Sequence, residues 1–437
     1  MNVPKKHILT GLLLFAASWV CGQTHFVKTK AGQFSIDGRP YYYIGANYWY
    51  GGLLANDEAG RRRIRAELDF LKGSGVDNLR VMAGAEGRGQ VNGVMRVQPP
   101  LQPSAGVFDT GLLKGLDFLL VEMGRRNMKA VIFLSNNWEW SGGFLQYLNW
   151  NGQLPDSVMQ RKLNWDEMRD YVSKFYQCTL CREQYKRQVA LIINRVNTIS
   201  GKRYSNDPAI MSWELANEPR PMRPTAIPSF EQWIGDAAAF IKSLDKNHLV
   251  TTGSEGEQGS ETIEVFKTIH AVKNIDYCTI HIWPKNWGWF KDTAIAKDLN
   301  TVIANTEQYI DTHAAVARQL GKPLVIEEFG LPRDNHSFLP EAATSLRDRY
   351  YACIFEKWTA SLRAKDIIGG CNFWAFSGSG RPVPLRPEWQ PGDDVLGDPP
   401  QEEQGLNSVF DSDQSTWVLI ESFTAVLKGW ERMGRSN

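Results

Sequence analysis

Eight times along the chain a short apolar run is followed by a stretch patterned as helix, and few folds accept that rhythm. The runs begin at Tyr42-Tyr43-Ile44-Gly45, Leu79-Arg80-Val81-Met82, Ala130-Val131-Ile132-Phe133-Leu134 and Ile210-Met211-Ser212-Trp213. They continue at Leu249-Val250-Thr251-Thr252, Tyr277-Cys278-Thr279-Ile280, Leu324-Val325-Ile326 and Gly370-Cys371-Asn372-Phe373-Trp374. Amphipathic segments lie between them: Gly60–Lys72, Leu112–Arg126, Met168–Thr198, Phe230–Leu244 and Ala304–Leu320. Within these, apolar residues return every three or four positions, as at Ile64, Leu68 and Leu71. The alternation predicts an α/β fold, a (β/α)8 TIM barrel with enlarged βα loops. Phe26–Pro40, with Asp37-Gly38 at its turn, predicts an N-terminal hairpin closing the barrel floor. A doubly wound sheet is the rival, but no Gly-rich phosphate turn follows any run. With no repeat, low-complexity tract or linker, residues 23–437 are expected to form one catalytic domain.

Chemistry in such barrels sits where strands end at the C-terminal face. The ends of the runs carry Asn47 with Trp49, Arg80, Asn136-Asn137-Trp138, Asn217-Glu218, Glu255, His281 with Trp283, Glu328, and Trp374. These are carboxylates, amides and aromatics. None of them has the Cys/His spacing of a metal site, and no serine lies in a G-x-S-x-G elbow. Glycoside hydrolysis fits the set, because it needs one protonated carboxyl for the leaving oxygen and one carboxylate across the sugar ring. Glu218 ends run four and Glu328 ends run seven, on opposite sides of a barrel mouth. Taken singly, a strand-end glutamate is more often an ion-pair partner than a catalyst, and Glu214 is expected to be such a partner.

Charge and composition narrow the partner. Lys and Arg total 49 against 48 Asp and Glu, a balance that argues against nucleic acid. The 16 Trp exceed what a core readily absorbs, since each buried indole N–H needs an acceptor. Sugar rings present apolar C–H faces that stack on indoles, so a neutral polysaccharide accounts for both features. Trp140, Trp287 and Trp289 join Trp49 and Trp138 as candidate mouth-loop platforms, with loop packing as the alternative.

Residues 1–22 read as a removable export leader, with Lys5-Lys6 before an apolar run from Ile8 to Val20 that is too short to span a bilayer. Removal leaves 47 basic against 48 acidic side chains, a net of −1. Secretion to the periplasm or cell surface is expected, and Cys21 offers an alternative lipid attachment site. In an exported chain Cys178 and Cys181 are expected to form a local disulfide, because no second ligand pair supports zinc. Cys278 and Cys371 lie in strand-like runs and are expected to be buried thiols.

The Asn217-Glu218-Pro219 and Glu328-Phe329-Gly330 motifs resemble those of glycoside hydrolase family 5, from about Phe26 onward. Several stretches are similar to the endo-β-1,4-mannanase branch: Gly45-Ala46-Asn47-Tyr48-Trp49, Leu79-Arg80-Val81, Asn136-Asn137-Trp138 with Gly142-Gly143, Gly253-Ser254-Glu255-Gly256 and His281-Ile282-Trp283-Pro284. The resemblance implies that Glu218 is the acid/base and Glu328, rather than its neighbour Glu327, the nucleophile. It implies substrate-side roles for Arg80, Asn217, His281, Trp283, Trp374, Trp49, Asn137, Trp138 and Glu255. Arg80 is expected to hold the Glu328 pKa low while Glu218 stays protonated, His281 to order the carboxylates, and Trp374 to floor the cleavage site. Where many relatives have Tyr, position 283 holds Trp, which donates but cannot accept. The implied substrate is mannan, glucomannan or galactomannan, cut internally with retention and without cofactor. A β-1,4-glucanase on the same barrel and a non-catalytic glycan-binding barrel are the rivals. The Pro-rich stretch Arg381–Glu403 is expected to wall the cleft.

Overall fold

Strands form at all eight apolar runs in the computed structural model, which describes residues 25–433. The expected leader and Cys21 lie outside the described residues. The strands are β1 (Tyr43–Asn47), β2 (Asn78–Met82), β3 (Lys129–Phe133), β4 (Ile210–Glu214), β5 (Leu249–Thr251), β6 (Cys278–Ile282), β7 (Leu324–Phe329) and β8 (Ile368–Phe373). They form one parallel sheet in sequential order, with β8 paired to β1. Between β5 and β6 the backbone N–H of Asp276 donates to Val250 O at 2.8 Å, which leaves the barrel nearly closed. Every residue of the eight strands is buried except Lys129, as expected for a parallel sheet wrapped in helices.

The helices that follow are α1 (Glu58–Gly73), α2 (Thr110–Arg125), α3 (Thr179–Ile193), α4 (Ile227–Leu244), α5 (Ile263–Ala271), α6 (Ile295–Leu320), α7 (Ser345–Ala364) and α8 (Gln414–Met433). Side-chain caps start four of them: Asp57 accepts from Gly60 N, Asp109 from Gly111 N and Leu112 N, Cys178 from Cys181 N and Thr262 from Val265 N. Ile64, Leu68 and Leu71 of α1 all face the core, as their spacing predicts.

Two elements differ in kind from the sequence expectation, and α6 begins at Ile295 rather than Ala304. The amphipathic stretch 168–198 is not one helix but Trp165–Val172, a 3-10 turn at Ser173–Gln177, and α3. The break falls at Cys178, whose extended backbone caps α3 and whose sulfur is bonded to Cys181. Cys278, Cys353 and Cys371 are buried and free. The expected hairpin is a three-stranded antiparallel meander, Val27–Lys30, Gln33–Ile36 and Arg39–Pro40, because Ala31-Gly32 makes a second turn ahead of Asp37-Gly38. Its Phe34 packs on Tyr43 and Tyr277, and these seal the barrel floor with Val131, Met211, Leu249 and Val325. A closed floor leaves the C-terminal face as the open end. Among the described residues no helix is long and apolar enough to cross a membrane.

Candidate active site

A cleft of about 500 Å³ opens at that face, lined by Trp138, Trp165, Asn217, Glu218, Arg220, Glu255, Trp283, Trp287, Glu328, Trp374 and Glu402 among others. Local backbone geometry presents the first carboxylate. Glu218 follows β4 with φ of 51°, a left-handed conformation that costs energy for a residue with a Cβ. Its N–H donates to Gly253 O at 2.9 Å, and Asn217 N donates to Ser135 O at 2.9 Å, so loops after β3 and β5 clamp the turn. Gly253 has φ of 76°, and a Cβ there would lie 2.0 Å from Ala216 O. Only glycine fits.

The second carboxylate comes from a strand irregularity. Ile280 pairs with Ile326 but His281 pairs with Glu328, so Glu327 is an extra residue in β7. A bulge of this kind breaks the alternation of faces, and both Glu327 and Glu328 turn toward the Arg80 guanidinium. One oxygen of Glu218, one of Glu328 and a ring nitrogen of His281 lie within 4.8 Å of one another.

Arg80 on β2 organises the floor of the cleft from below, with no exposed surface. Its fork grips Glu214 at 2.8 and 2.6 Å, which makes Glu214 a structural ion-pair partner. The remaining donors reach Asn217 Oδ1 at 2.7 Å, Asn47 Oδ1 at 3.1 Å and Glu328 Oε1. All five guanidinium N–H groups are used, a geometry that lysine cannot copy. Trp283 Nε1 donates to the other Glu328 oxygen at 3.0 Å. The indole therefore supplies a donor to Glu328 where the resemblance implies Tyr. Trp283→Phe removes it, and kcat is expected to fall roughly 10–100-fold with little change in KM, the usual worth of a bond to a charged group.

Glu218 receives the indole N–H of Trp138 on Oε2 and stands 2.7 Å from His281 Nδ1 through Oε1. Burial pushes its carboxyl above the ordinary range, with Arg220 and the Trp138 donor pulling back. Burial also raises Glu328, more than Arg80 lowers it. Glu328 is thus not the low-pKa carboxyl that the resemblance implies, because one guanidinium serves Glu214, Glu327 and Glu328 together in a buried cluster. Two carboxyls this close cannot both ionise freely, so the pair holds a proton. Glu328 faces the donors Arg80 and Trp283, and Glu218 faces the Trp138 donor and the His281 ring.

Several implied contacts resolve differently. Arg80 and His281 are wholly buried beneath the cleft and contact the glutamates rather than lining it. Trp49 is 1% exposed, and its Nε1 donates to Gly397 O at 2.7 Å, so it supports the Arg381–Glu403 wall instead of a sugar. Asn137 is buried away from the cleft lining, with its N–H donating to Asn217 O at 2.9 Å. Glu255 lines the cleft, but both its oxygens hold Arg220, at 2.5 and 2.7 Å. Asn217, Trp138, Trp283 and Trp374 do line it.

Arg220, Trp165 and Glu402 were not singled out from the sequence. Arg220 directly follows Asn217-Glu218-Pro219 and lies 4.9 Å over the Trp138 ring, so its position after the motif was a usable signal. Trp165 is 51% exposed and stacks near Trp138, with ring centroids 6.2 Å apart. Glu402 comes from the Pro-rich wall, and burial pushes its carboxyl up to about 8.

Residues 24–432 match the family model described as GH family 5 beta-mannosidase-like. Mannan endo-1,4-beta-mannosidase 1 of Oryza sativa is 30% identical over 80% of this chain and 78% of its own length. Mannan endo-1,4-beta-mannosidase 2 of Arabidopsis thaliana is 31% identical over 81% and 79%. A glycoside hydrolase family 5 mannosidase from Rhizomucor miehei superposes with a TM-score of 0.84 at 34% identity, covering 94% of this chain and 99% of that one. A variant of that mannosidase has been solved with mannosyl-fructose. The endo-1,4-beta-mannanase of the same organism shares the fold, with a TM-score of 0.65 at 23% identity over 92% and 99%. The chain belongs to glycoside hydrolase family 5, in its β-mannosidase-like group.

Proposed function

We propose that the chain is an exported single-domain hydrolase, residues 23–437 after loss of 1–22, that cleaves β-1,4-mannosidic bonds with retention. The observation that carries the reading is the 4.8 Å grouping of Glu218, Glu328 and His281. Retaining enzymes hold their carboxyls about 5–5.5 Å apart, whereas inverting ones need about 6.5–9.5 Å to admit a water. Glu328 attacks the anomeric carbon as Glu218 gives its proton to the leaving oxygen, which departs as an alcohol. Glu218, now a carboxylate, takes a proton from water, and the resulting hydroxide displaces Glu328 to release the sugar and restore both groups. Asn217, held by Arg80, donates toward the sugar 2-hydroxyl, and Trp374 floors the ring being cleaved. The chemistry needs only two carboxylates and water.

The mannan endo-hydrolases among the relatives support mannan, glucomannan or galactomannan as substrate and internal cleavage as mode. A second reading, action on short chains or chain ends, is favoured by the 381–403 wall, which brings Glu402 into the cleft lining. Reducing-sugar release from mannan and from carboxymethyl cellulose tests the substrate, and activity confined to cellulose would overturn it. Product analysis on mannohexaose separates the modes: mixed oligosaccharides indicate internal cuts, and mannose released alone indicates end cutting.

A further inference from the structure

Glu327 is left over by the mechanism, yet it is placed as if it had work there. It is 1% exposed, and neither of its oxygens has a hydrogen-bond partner among the described residues. A carboxylate buried with only the more distant ion-pair contacts of Arg80 and His281 is expensive, and the bulge is what turns it inward. The charged and titratable groups around it come from every neighbouring strand: Arg80 on β2, Glu214 on β4, His281 on β6 and Glu328 beside it. The buried hydroxyls of Tyr43 on β1 and Tyr277 ahead of β6 face it as well. Arg80 Nε lies 3.8 Å away but is committed to Glu214 at 2.8 Å. His281 Nε2 lies 3.6 Å away and has no other partner among the described residues.

The opposite nitrogen of that ring faces the reaction: Nδ1 is 2.7 Å from Glu218 Oε1 and 3.4 Å from Glu328 Oε2. We propose that Glu327 is a positioning residue that holds the N–H of His281 on Nε2, leaves Nδ1 bare against Glu218, and so keeps the proton on Glu218. The neutral ring has a single N–H, and whichever nitrogen carries it is set by the partner of the other. Burial holds the His281 pKa down, at about 4, so the ring stays neutral across the working range. A bare Nδ1 raises the proton affinity of Glu218 in both halves of the reaction, first as acid and then as base. Burial and Glu214 raise the Glu327 carboxyl while Arg80 and His281 pull it back, and its ionised form acts in the same direction. Arg220, Glu255 and Glu402 also face Glu218.

This inference rests on the acid/base reading of Glu218, and two measurements separate their failures. In Glu327→Gln the alkaline limb of kcat/KM against pH is expected to move about one unit lower, because Glu218 then ionises more readily. A purely structural role would lower the thermal midpoint and leave the limb in place. Nitrogen-15 NMR of the wild-type imidazoles, with His281 assigned by its loss in His281→Gln, is expected to show a proton on Nε2. A wild-type proton on Nδ1 overturns the proposal, whether or not the Gln variant folds. A proton on Nε2 with an unmoved limb in a folded Gln variant overturns the link to Glu218 and leaves the acid/base reading of Glu218 standing.

Discussion

Glu328→Ala is expected to lower turnover by about five orders of magnitude, ~7 kcal/mol of transition-state stabilisation, with the fold intact. The loss is large because no other group can attack the anomeric carbon from that position. Glu327 is the adjacent carboxylate, but it sits below the cleft lining, against Arg80 and His281 Nε2. Folding should survive, since the substitution removes a buried like charge from a cluster already holding Glu214, Glu218 and Glu327. Substrate binding should persist too, because Trp374, Trp283, Trp138 and Asn217 still line the cleft. The variant also carries a chemical signature. With an activated aryl β-mannoside, azide can enter the vacated space, attack the anomeric carbon and expel the phenolate, giving the α-mannosyl azide. Residual turnover near wild type, or no azide product in a folded variant, would count against Glu328 as nucleophile. The same experiment on Glu327→Ala should give no azide adduct.

Arg80→Lys should cost about a thousandfold in kcat/KM, ~4 kcal/mol, although it keeps the positive charge. Lysine places a compact ammonium where Arg80 spreads five donors over Glu214, Asn217, Asn47 and Glu328. Whichever partners it abandons remain buried without a counter-group, and breaking such a pair typically destabilises by about 3–5 kcal/mol. The thermal midpoint should therefore fall with activity. The pH profile supplies the sharper sign. Glu328 must be ionised to attack, and Arg80 is the group that lowers its pKa against burial. Weaker support raises that pKa, so the acid limb should move to higher pH while the alkaline limb moves less. A variant with wild-type limbs and a mere loss of stability would reduce Arg80 to a packing role.

The barrel was legible because parallel strands buried on both faces leave uninterrupted apolar runs, and eight of these alternate with helical periodicity. Strand ends then located Arg80, Asn217, Glu218, His281, Trp283, Glu328 and Trp374 without a contact map. What the sequence concealed was depth. Trp49 and Trp138 look alike as tryptophans just past a strand, yet one supports the wall through Gly397 and the other touches Glu218. Periodicity does not separate the first layer of a mouth from the second. The bulge at Glu327 was hidden for a related reason, since a one-residue register shift shows only when the partner strand is seen. Trp165 and Glu402 reach the cleft from long excursions after β3 and β8, where no strand end marks direction. The tryptophan excess itself divides: Trp213, Trp233 and Trp358 are core, while Trp138, Trp165, Trp283, Trp287 and Trp374 line the cleft.

The stereochemistry of the first product tests the central claim most directly. Proton NMR during rapid hydrolysis of a manno-oligosaccharide distinguishes the anomers before mutarotation mixes them. Double displacement through Glu328 predicts that the β-anomer of the released reducing end appears first, with the α-anomer growing in later. An α-anomer that appears first would mean single displacement by water, and would contradict the assignment of both glutamates.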